Sequence, residues 1–144
     1  MRGAARNEHD ACGVGFIASR TGEACHQILL DALHALTCVE HRGGCAADQV
    51  SSDGAGVMSD IPFELLGYRP GEIAVASLLA PPDLLRLQEA LSIFRSTFDF
   101  FDLKVLAFRE VPVNPAVLGE DARRTLPALR HAIIRRPAHC RTDA

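Results

Sequence analysis

The stretch HDACGVGFIAS, residues 9–19, places one cysteine directly before a short run that is typical of a buried strand. The run consists of Val14, Phe16 and Ile17, with glycines before and between them. β-Branched and aromatic residues bounded by glycine favour a strand, and glycines beside a strand indicate that another backbone or a ligand comes close. The sequence therefore predicts a strand that starts just behind Cys12.

Composition alone leaves two interpretations of Cys12 open. A free cysteine is most often a small, buried apolar side chain. Alternatively, the polar residues 1–11, which have no hydrophobic periodicity, are a leader whose removal would make Cys12 the N-terminal residue. Its α-amine, with a pKa of about 7.7–8.0, would then take the thiol proton directly or through water. Such a residue needs no separate catalytic histidine.

Length and composition are those of one ordinary globular domain, with 144 residues that are 48% hydrophobic and 23% charged. The net charge of −3 excludes a basic field that would attract nucleic acid or an anionic membrane. No apolar run reaches the roughly 18–20 residues that span a bilayer, and the first residues lack the apolar core of a secretory signal. We expect a cytoplasmic protein whose five cysteines are free thiols.

Hydrophobic periodicity predicts two helices and four further strands in an α+β order without internal repeats. One helix covers residues 24–40, with glycines at 43 and 44 as a stop, and the other covers about 83–98, with Asp83 near its first turn. The strands are predicted at residues 57–61, 72–80, 103–113 and 131–135, and a loop at 111–121.

Several polar residues near the first helix invite a metal hypothesis. They are Cys25, His26, His34, Cys38, His41 and Cys45. Zinc ligands usually come in pairs two to four residues apart, and no CxxC or HxxxH occurs here. We therefore expect no metal site, and we interpret Cys38 as a packing residue of the helix.

Two further motifs have both a structural and a functional interpretation. SSDGAG, residues 51–56, resembles a phosphate cradle but lacks the P-loop glycine and lysine pattern, so a tight turn capped by Asp53 is the better account. Arg42 either ends the first helix, where the dipole favours a cation, or lies beside Cys12, where a guanidinium would favour the thiolate. The residues alone do not choose between these alternatives.

Three motifs carry a resemblance to a known family. They are DACGVGFIA at 10–18, LHALTCVEHRGGCAAD at 33–48 and SSDGAGVMSDIP at 51–62. Together they resemble the start of the class II glutamine amidotransferase domain at the N-terminus of the glutamate synthase large subunit. Cys12 and Arg42 are thirty positions apart, and the segment between them is long enough for a helix. Residues 72–81 and 108–134 agree more loosely, so the resemblance spans about residues 10–136.

The resemblance implies a fold and a domain organisation. The fold would be α+β of the Ntn-hydrolase type, a four-layer αββα sandwich of two stacked antiparallel sheets between helical layers, and incomplete in this chain. Residues 1–11 would be a cleaved leader and residues 12–136 the N-terminal part of the glutamine amidotransferase domain. Residues 137–144 would be an unassigned tail.

The resemblance also assigns roles to site residues. Cys12 would attack the side-chain amide of glutamine, its freed α-amine would shuttle the proton, and water would hydrolyse the γ-glutamyl thioester. Arg42 and Gly43 would support the nucleophile. Three residues of the loop near the site would be structural: Asp53, Gly54 and Gly56.

Other parts of the family pattern have no counterpart in these 144 residues. The oxyanion-hole Asn-Gly pair and the residues that bind the carboxylate and amino group of glutamine come later in the family domain. Removing one hydrogen-bond donor from an oxyanion hole typically lowers kcat by a factor of 10²–10³. The partners implied are glutamine and the remaining glutamate synthase domains or subunits. FMN and an iron–sulfur cluster would belong to the full synthase, with no cofactor in this chain.

Three functions remain as hypotheses on these grounds. The first is the nucleophile-bearing part of a glutaminase, cut short or completed by another polypeptide. The second is a non-catalytic binding or regulatory module that docks on a partner, since half a domain would expose unpaired strands. The third, a redox-sensing cysteine protein, rests only on the number of cysteines.

Overall fold

A computed structural model of the protein describes residues 13–39, 43–44, 50–51 and 54–139. The chain divides into two compact units. The first comprises Met1–Ser59 with Leu118–Asp121, and the second comprises Asp60–Val117 with Ala122–Ala144.

The first unit contains helix α1, His26–Cys38. Ile28, Ala32 and Leu36 follow one another at four-residue intervals and are half-buried, so they form the apolar stripe of this helix. At the end of the helix, the backbone N–H of Val39 donates to the carbonyl of Leu36 at 3.3 Å. The prediction of a helix within residues 24–40 is confirmed.

Two of the predicted strands are wrong. Residues 13–19 and 57–61 have no regular secondary structure, and the side chains of Val14, Phe16 and Met58 are 98%, 94% and 99% exposed. β-Branched and aromatic residues favour a strand only when a neighbouring strand pairs with their backbone and a second layer covers their side chains. Within the described residues neither stretch has such a partner.

The second unit contains the sheet and most of the helical residues. Along the chain it runs through helix α2 (Phe63–Leu66), strand β1 (Ile73–Ala80), helix α3 (Leu84–Phe100), strand β2 (Val105–Glu110), a 3₁₀ turn (Pro115–Val117) and strand β3 (Ala128–Arg135). Helix α4 (Glu120–Arg124) lies between the 3₁₀ turn and β3. The three predictions of strands at 72–80, 103–113 and 131–135 are confirmed, although β2 is shorter than predicted and β3 begins three residues earlier.

The last strand of the sheet in sequence is the middle strand in space. The order is β1-β3-β2, and β3 is antiparallel to both neighbours. β1 and β2 therefore run parallel to each other, and α3 makes the crossover between them. The register of β2 on β3 shifts between Val105 and Ala107, which is the mark of a bulge.

Helix α3 covers one face of this sheet. The buried cluster on that face consists of Val105, Ala132 and Ile134, and the half-buried residues that pack against it are Ala76, Leu78, Phe94, Phe98, Leu103 and Phe108. Phe94 stacks on Phe98 at 4.2 Å and meets Phe108 edge to face at 6.0 Å. Such aromatic pairs are worth about 0.5–1.5 kcal/mol each beyond the area that they bury.

Arg95 joins α3 to β2 through two contacts. Its guanidinium donates to the carbonyl of Val105 at 2.8 Å and lies 5.2 Å from the centre of the Phe108 ring. The hydrogen bond satisfies a strand carbonyl, and the charge over the ring adds a cation–π attraction. A charged helix residue thus contributes to the same packing as the phenylalanines.

Both ends of α3 are capped by local hydrogen bonds. The Asp83 carboxylate accepts from the backbone N–H of Arg86 at 3.0 Å, as an N-cap side chain does. At the other end Asp102 has a left-handed φ of 58°, its N–H donates to Asp99, and the N–H of Leu103 donates to Phe98 at 2.9 Å. This pair of bonds is a Schellman motif, which turns the chain from α3 into β2.

The two edge strands of the sheet differ in composition. β1 has the sequence IAVASLLA, with no charged residue and no proline, whereas β2 carries Arg109 and Glu110 as well as the bulge. Among the described residues the only strand that pairs with β1 is β3.

Helices α2 and α4 were not predicted. α2 follows Pro62, directly after the predicted strand at 57–61, and Gly67 with φ 77° closes it. α4 lies across the end of the predicted 111–121 loop, with Glu120 and Asp121 in its first turn and arginines in its last. This arrangement of charges complements a helix dipole, and it is the feature of the sequence from which α4 could have been predicted.

Replacing Asp83 tests the N-cap of α3. We expect Asp83→Ala to lower the free energy of unfolding by about 1 kcal/mol, because the N–H of Arg86 loses its acceptor. The matched variant Asp83→Asn keeps an acceptor oxygen and should retain most of the stability. Urea unfolding curves measure both, and equal losses in the two variants would contradict the capping role.

Replacing Asp102 tests the other end of α3. Asp102→Gly removes the strain of a side chain in the left-handed region and should raise the free energy of unfolding by about 0.5–1 kcal/mol. Asp102→Ala keeps a Cβ at the same φ and should not stabilise the protein. Thermal unfolding of the two variants gives the comparison, and a glycine variant no more stable than the alanine variant would refute the prediction.

Candidate functional site

Half of the predicted site residues lie outside the described residues. These are Cys12, Arg42 and Asp53. The other three, Gly43, Gly54 and Gly56, are described and exposed. The structure therefore describes the neighbours of the predicted nucleophile and of its supporting arginine.

The neighbours of Cys12 and Arg42 meet at the end of α1. A Cβ built on Gly13 would lie 3.5 Å from Cβ of Val39 and 3.7 Å from its Cγ1. Gly13 directly follows Cys12, and Val39 precedes Arg42 by three residues. The two chain segments that carry these residues are thus in contact, although they are separated by the whole of α1.

The glycines before the predicted strand were expected to mark a close approach, and only one of them does. Gly13 lies against Val39, whereas a Cβ on Gly15 would meet no atom within 4 Å. The approaching group at Gly13 is a valine side chain, at ordinary van der Waals distance. Val39 was not identified from the sequence as part of the site, because its contact with Gly13 depends on how the chain enters α1.

The glycines of the 51–56 motif have open surroundings. A Cβ on Gly54 or Gly56 would meet no atom within 4 Å, and neither residue has a positive φ. Their contacts within the described part of the chain give no steric reason for glycine. The structural role of Asp53, Gly54 and Gly56 stays a prediction.

The interpretation of Cys38 as a packing residue is wrong. Cys38 and Cys25 are both free and exposed, because they stand at the two ends of α1, away from its apolar stripe. Over the ranges that the structure describes, no three His, Cys, Asp or Glu side chains come together in a way that could hold a metal ion. None of the described helices has the length and apolar content to cross a membrane.

A groove of about 430 Å³ lies in the second unit, next to the end of the sheet. Phe98, Leu103 and Ile134 are among its lining residues, together with Arg135 and Arg136. Its lining contains no cysteine, histidine, serine or carboxylate, so it lacks a nucleophile and a general base.

Comparison with known proteins gives the family. Residues 12–144 match the family model of the class II glutamine amidotransferases. The ferredoxin-dependent glutamate synthase 1 of Arabidopsis thaliana, described as chloroplastic/mitochondrial, is 38% identical over an alignment of 147 residues that covers 95% of this chain. The ferredoxin-dependent glutamate synthase 2 of Synechocystis is 39% identical over an alignment of 146 residues that covers 94% of this chain.

The chain spans only a small part of these relatives. The aligned region is 9% of the Arabidopsis protein and 9% of the Synechocystis protein. The chloroplastic ferredoxin-dependent glutamate synthase of Spinacia oleracea, 39% identical over 138 residues, is covered to 8%. The family match starts at Cys12, the residue at which the resemblance places the nucleophile.

Glycine variants test how tightly the segment after Cys12 is packed. Gly13→Ala should fold with its stability unchanged within about 0.5 kcal/mol, since the new methyl group would meet Val39 at ordinary contact distance. Gly22→Ala is the contrast, because Gly22 has a φ of 71° and alanine there should cost about 1 kcal/mol. Thermal unfolding measures both variants. A large loss of stability in Gly13→Ala would contradict the ordinary contact distance between residue 13 and Val39.

Proposed function

This chain belongs to the class II glutamine amidotransferases, and we propose that it carries the nucleophile of a glutaminase site. The substrate is glutamine, and the products are glutamate and ammonia. Cys12 is the nucleophile, and its own α-amine is the general base. The amine becomes available when residues 1–11 are removed.

The first half of the reaction forms a thioester. The α-amine of Cys12 takes the thiol proton, and the sulfur attacks the side-chain amide carbon of glutamine. The C–N bond of the amide breaks as the ammonium of Cys12 returns a proton to the leaving nitrogen, which departs as ammonia. The γ-glutamyl group is then bound to sulfur.

The second half regenerates the enzyme. The same amine takes a proton from water, the oxygen attacks the thioester carbon, and the C–S bond breaks. Glutamate leaves, and the sulfur recovers its proton. A base within hydrogen-bond reach of the reacting atoms contributes about 10²–10⁴-fold to rates of this kind.

Contact between Gly13 and Val39 is the observation that carries a supporting role for Arg42. It brings the segment after Cys12 against the segment before Arg42. A guanidinium close to the sulfur favours the thiolate without competing for the proton. We assign this role to Arg42, with Gly43 letting the backbone pass beside it, and a structural role to the loop of Asp53, Gly54 and Gly56.

The exposed apolar residues of the first unit support completion by further protein. Val14, Phe16 and Met58 are almost fully exposed, although their sequences favour strands. We propose that both stretches pair with strands when the rest of the domain is present, which gives the αββα sandwich of the Ntn hydrolases. The alternative, a non-catalytic module, would use the same exposed residues to dock on a partner.

The activity of the whole protein is a second part of the proposal. The relatives are named ferredoxin-dependent glutamate synthases, so we propose ferredoxin as the electron donor of a complete synthase. FMN and an iron–sulfur cluster would lie in its other domains, which would use the ammonia. We propose a cytoplasmic location for this chain, whereas several relatives are named as chloroplastic.

Intact mass and activity of the protein from its own host test the proposal together. The mass should correspond to a chain that begins at Cys12, and Cys12→Ala should reduce glutamine hydrolysis by at least about 10²-fold, since it removes both the attacking atom and the acyl carrier. Ammonia release measures the rate.

A matched control comes from Cys25, which is free and exposed. Cys25→Ala should leave glutamine hydrolysis unchanged, because Cys25 precedes the first turn of α1 and Val39, which lies against Gly13, follows its last turn. Hydrolysis that survives Cys12→Ala, or activity in a protein that retains Met1, would reject the mechanism. An unprocessed, inactive protein would favour the non-catalytic alternative.

A further inference from the structure

The whole side chain of Val39 faces Gly13. A Cβ built on Gly13 would have three nearest neighbours, and they are Cβ, Cγ1 and Cγ2 of Val39 at 3.5, 3.7 and 3.9 Å. These are all the carbon atoms of that side chain, and each lies at ordinary van der Waals distance. The backbone of residue 13 therefore runs beside a single apolar side chain.

Val39 is held firmly enough to act as a support. It is the C-cap residue of α1, and its backbone N–H donates to the carbonyl of Leu36 at 3.3 Å. A β-branched side chain has restricted freedom about χ1. The methyl groups of Val39 thus keep a fixed place relative to the last turn of the helix.

Gly13 is the point at which the described residues hold the segment that follows Cys12. A Cβ built on Gly15 would meet no atom within 4 Å, and the side chains of Val14 and Phe16 are 98% and 94% exposed. The residue joined to Cys12 is packed, whereas the three residues after it are open to solvent.

An N-terminal nucleophile depends strongly on the residue that follows it. Once residues 1–11 are removed, Cys12 is attached to the chain by one peptide bond, which leads to Gly13. Glycine has no side chain of its own with which to fix its backbone, and it has more conformational freedom than any other residue. A neighbour that restrains Gly13 therefore restrains Cys12 as well.

We propose that Val39 is a positioning residue for the nucleophile. Its side chain fixes the backbone of Gly13, and this places the sulfur and the α-amine of Cys12 for attack on the glutamine amide. Attack needs the reacting atoms about 3–3.5 Å apart and aligned. The inference rests on the proposed role of Cys12, and Val39 itself touches no reacting atom.

Truncation of Val39 in the complete protein from its own host tests this role. Val39→Ala should lower kcat for glutamine hydrolysis about tenfold, since a displacement of 1 Å can cost about 10²-fold. The KM for glutamine should stay within about twofold, because the substrate is bound by other residues. Val39→Thr keeps both γ atoms and should retain kcat. Ammonia release gives the rates, and intact mass checks that each variant begins at Cys12.

Ile28 provides a control for loss of stability. It belongs to the apolar stripe of the same helix and is half-buried, but it lies in the first turn of α1, whereas Val39 follows the last. Ile28→Ala should lower Tm at least as much as Val39→Ala, because it removes more buried carbon, and it should leave kcat unchanged.

Gly13→Val is a second test from the opposite side of the contact. Its methyl groups would press on Val39, because a Cβ at residue 13 already lies 3.5 Å from Cβ of Val39, and kcat should fall. Val39→Ala in the same protein makes room for them and should restore part of kcat. Such a recovery in the double variant measures the coupling of the two residues.

The outcomes separate this inference from the proposed function. Normal kcat in Val39→Ala, together with an inactive Cys12→Ala, would overturn the positioning role and leave the nucleophile in place. Equal losses of kcat in Val39→Ala and Ile28→Ala would overturn it too, because the effect would then come from stability. Hydrolysis that survives Cys12→Ala would reject the proposed function itself.

Discussion

The sheet depends on the pairing of β3 with both of its neighbours. β1 and β2 do not pair with each other, and the only described strand with which either of them pairs is Ala128–Arg135. The same strand places Ala132 and Ile134 under α3 and His131 on the other face. The core and the crossover helix are both consequences of inserting this last strand between two earlier ones.

Sequence patterns predicted those elements whose stability is local or whose partners are present. The N-cap at Asp83, the helical spacing of Phe94 and Phe98 and the apolar run of β1 each corresponded to the structure. Val14–Ile17 did not, because the same strand-forming residue types need a paired neighbour that no described residue supplies. Propensity therefore indicated which stretches can form strands, and only the pairing decides which of them do.

The sequence likewise predicted some features of the candidate site and not others. The prediction that Cys12 is the nucleophile rests on its place in a motif, and the family match begins at that residue. The contact of Gly13 with Val39 was not predictable, because it depends on the path of the chain around α1. The pairing of Ser77 with His131 in the sheet was equally hidden, since more than fifty positions separate the two residues and only the register of the sheet brings them together.

The uncharged edge of β1 has a consequence for how the protein behaves at high concentration. The strand has eight residues without a charge, a proline or a bulge, and no described strand pairs with it on the side away from β3. Charges and bulges on edge strands are the usual defence against pairing between molecules, and here they occur on β2. β1 is therefore the segment at which self-association and aggregation of the purified chain would begin, and a single lysine on its exposed side would be the simplest protection.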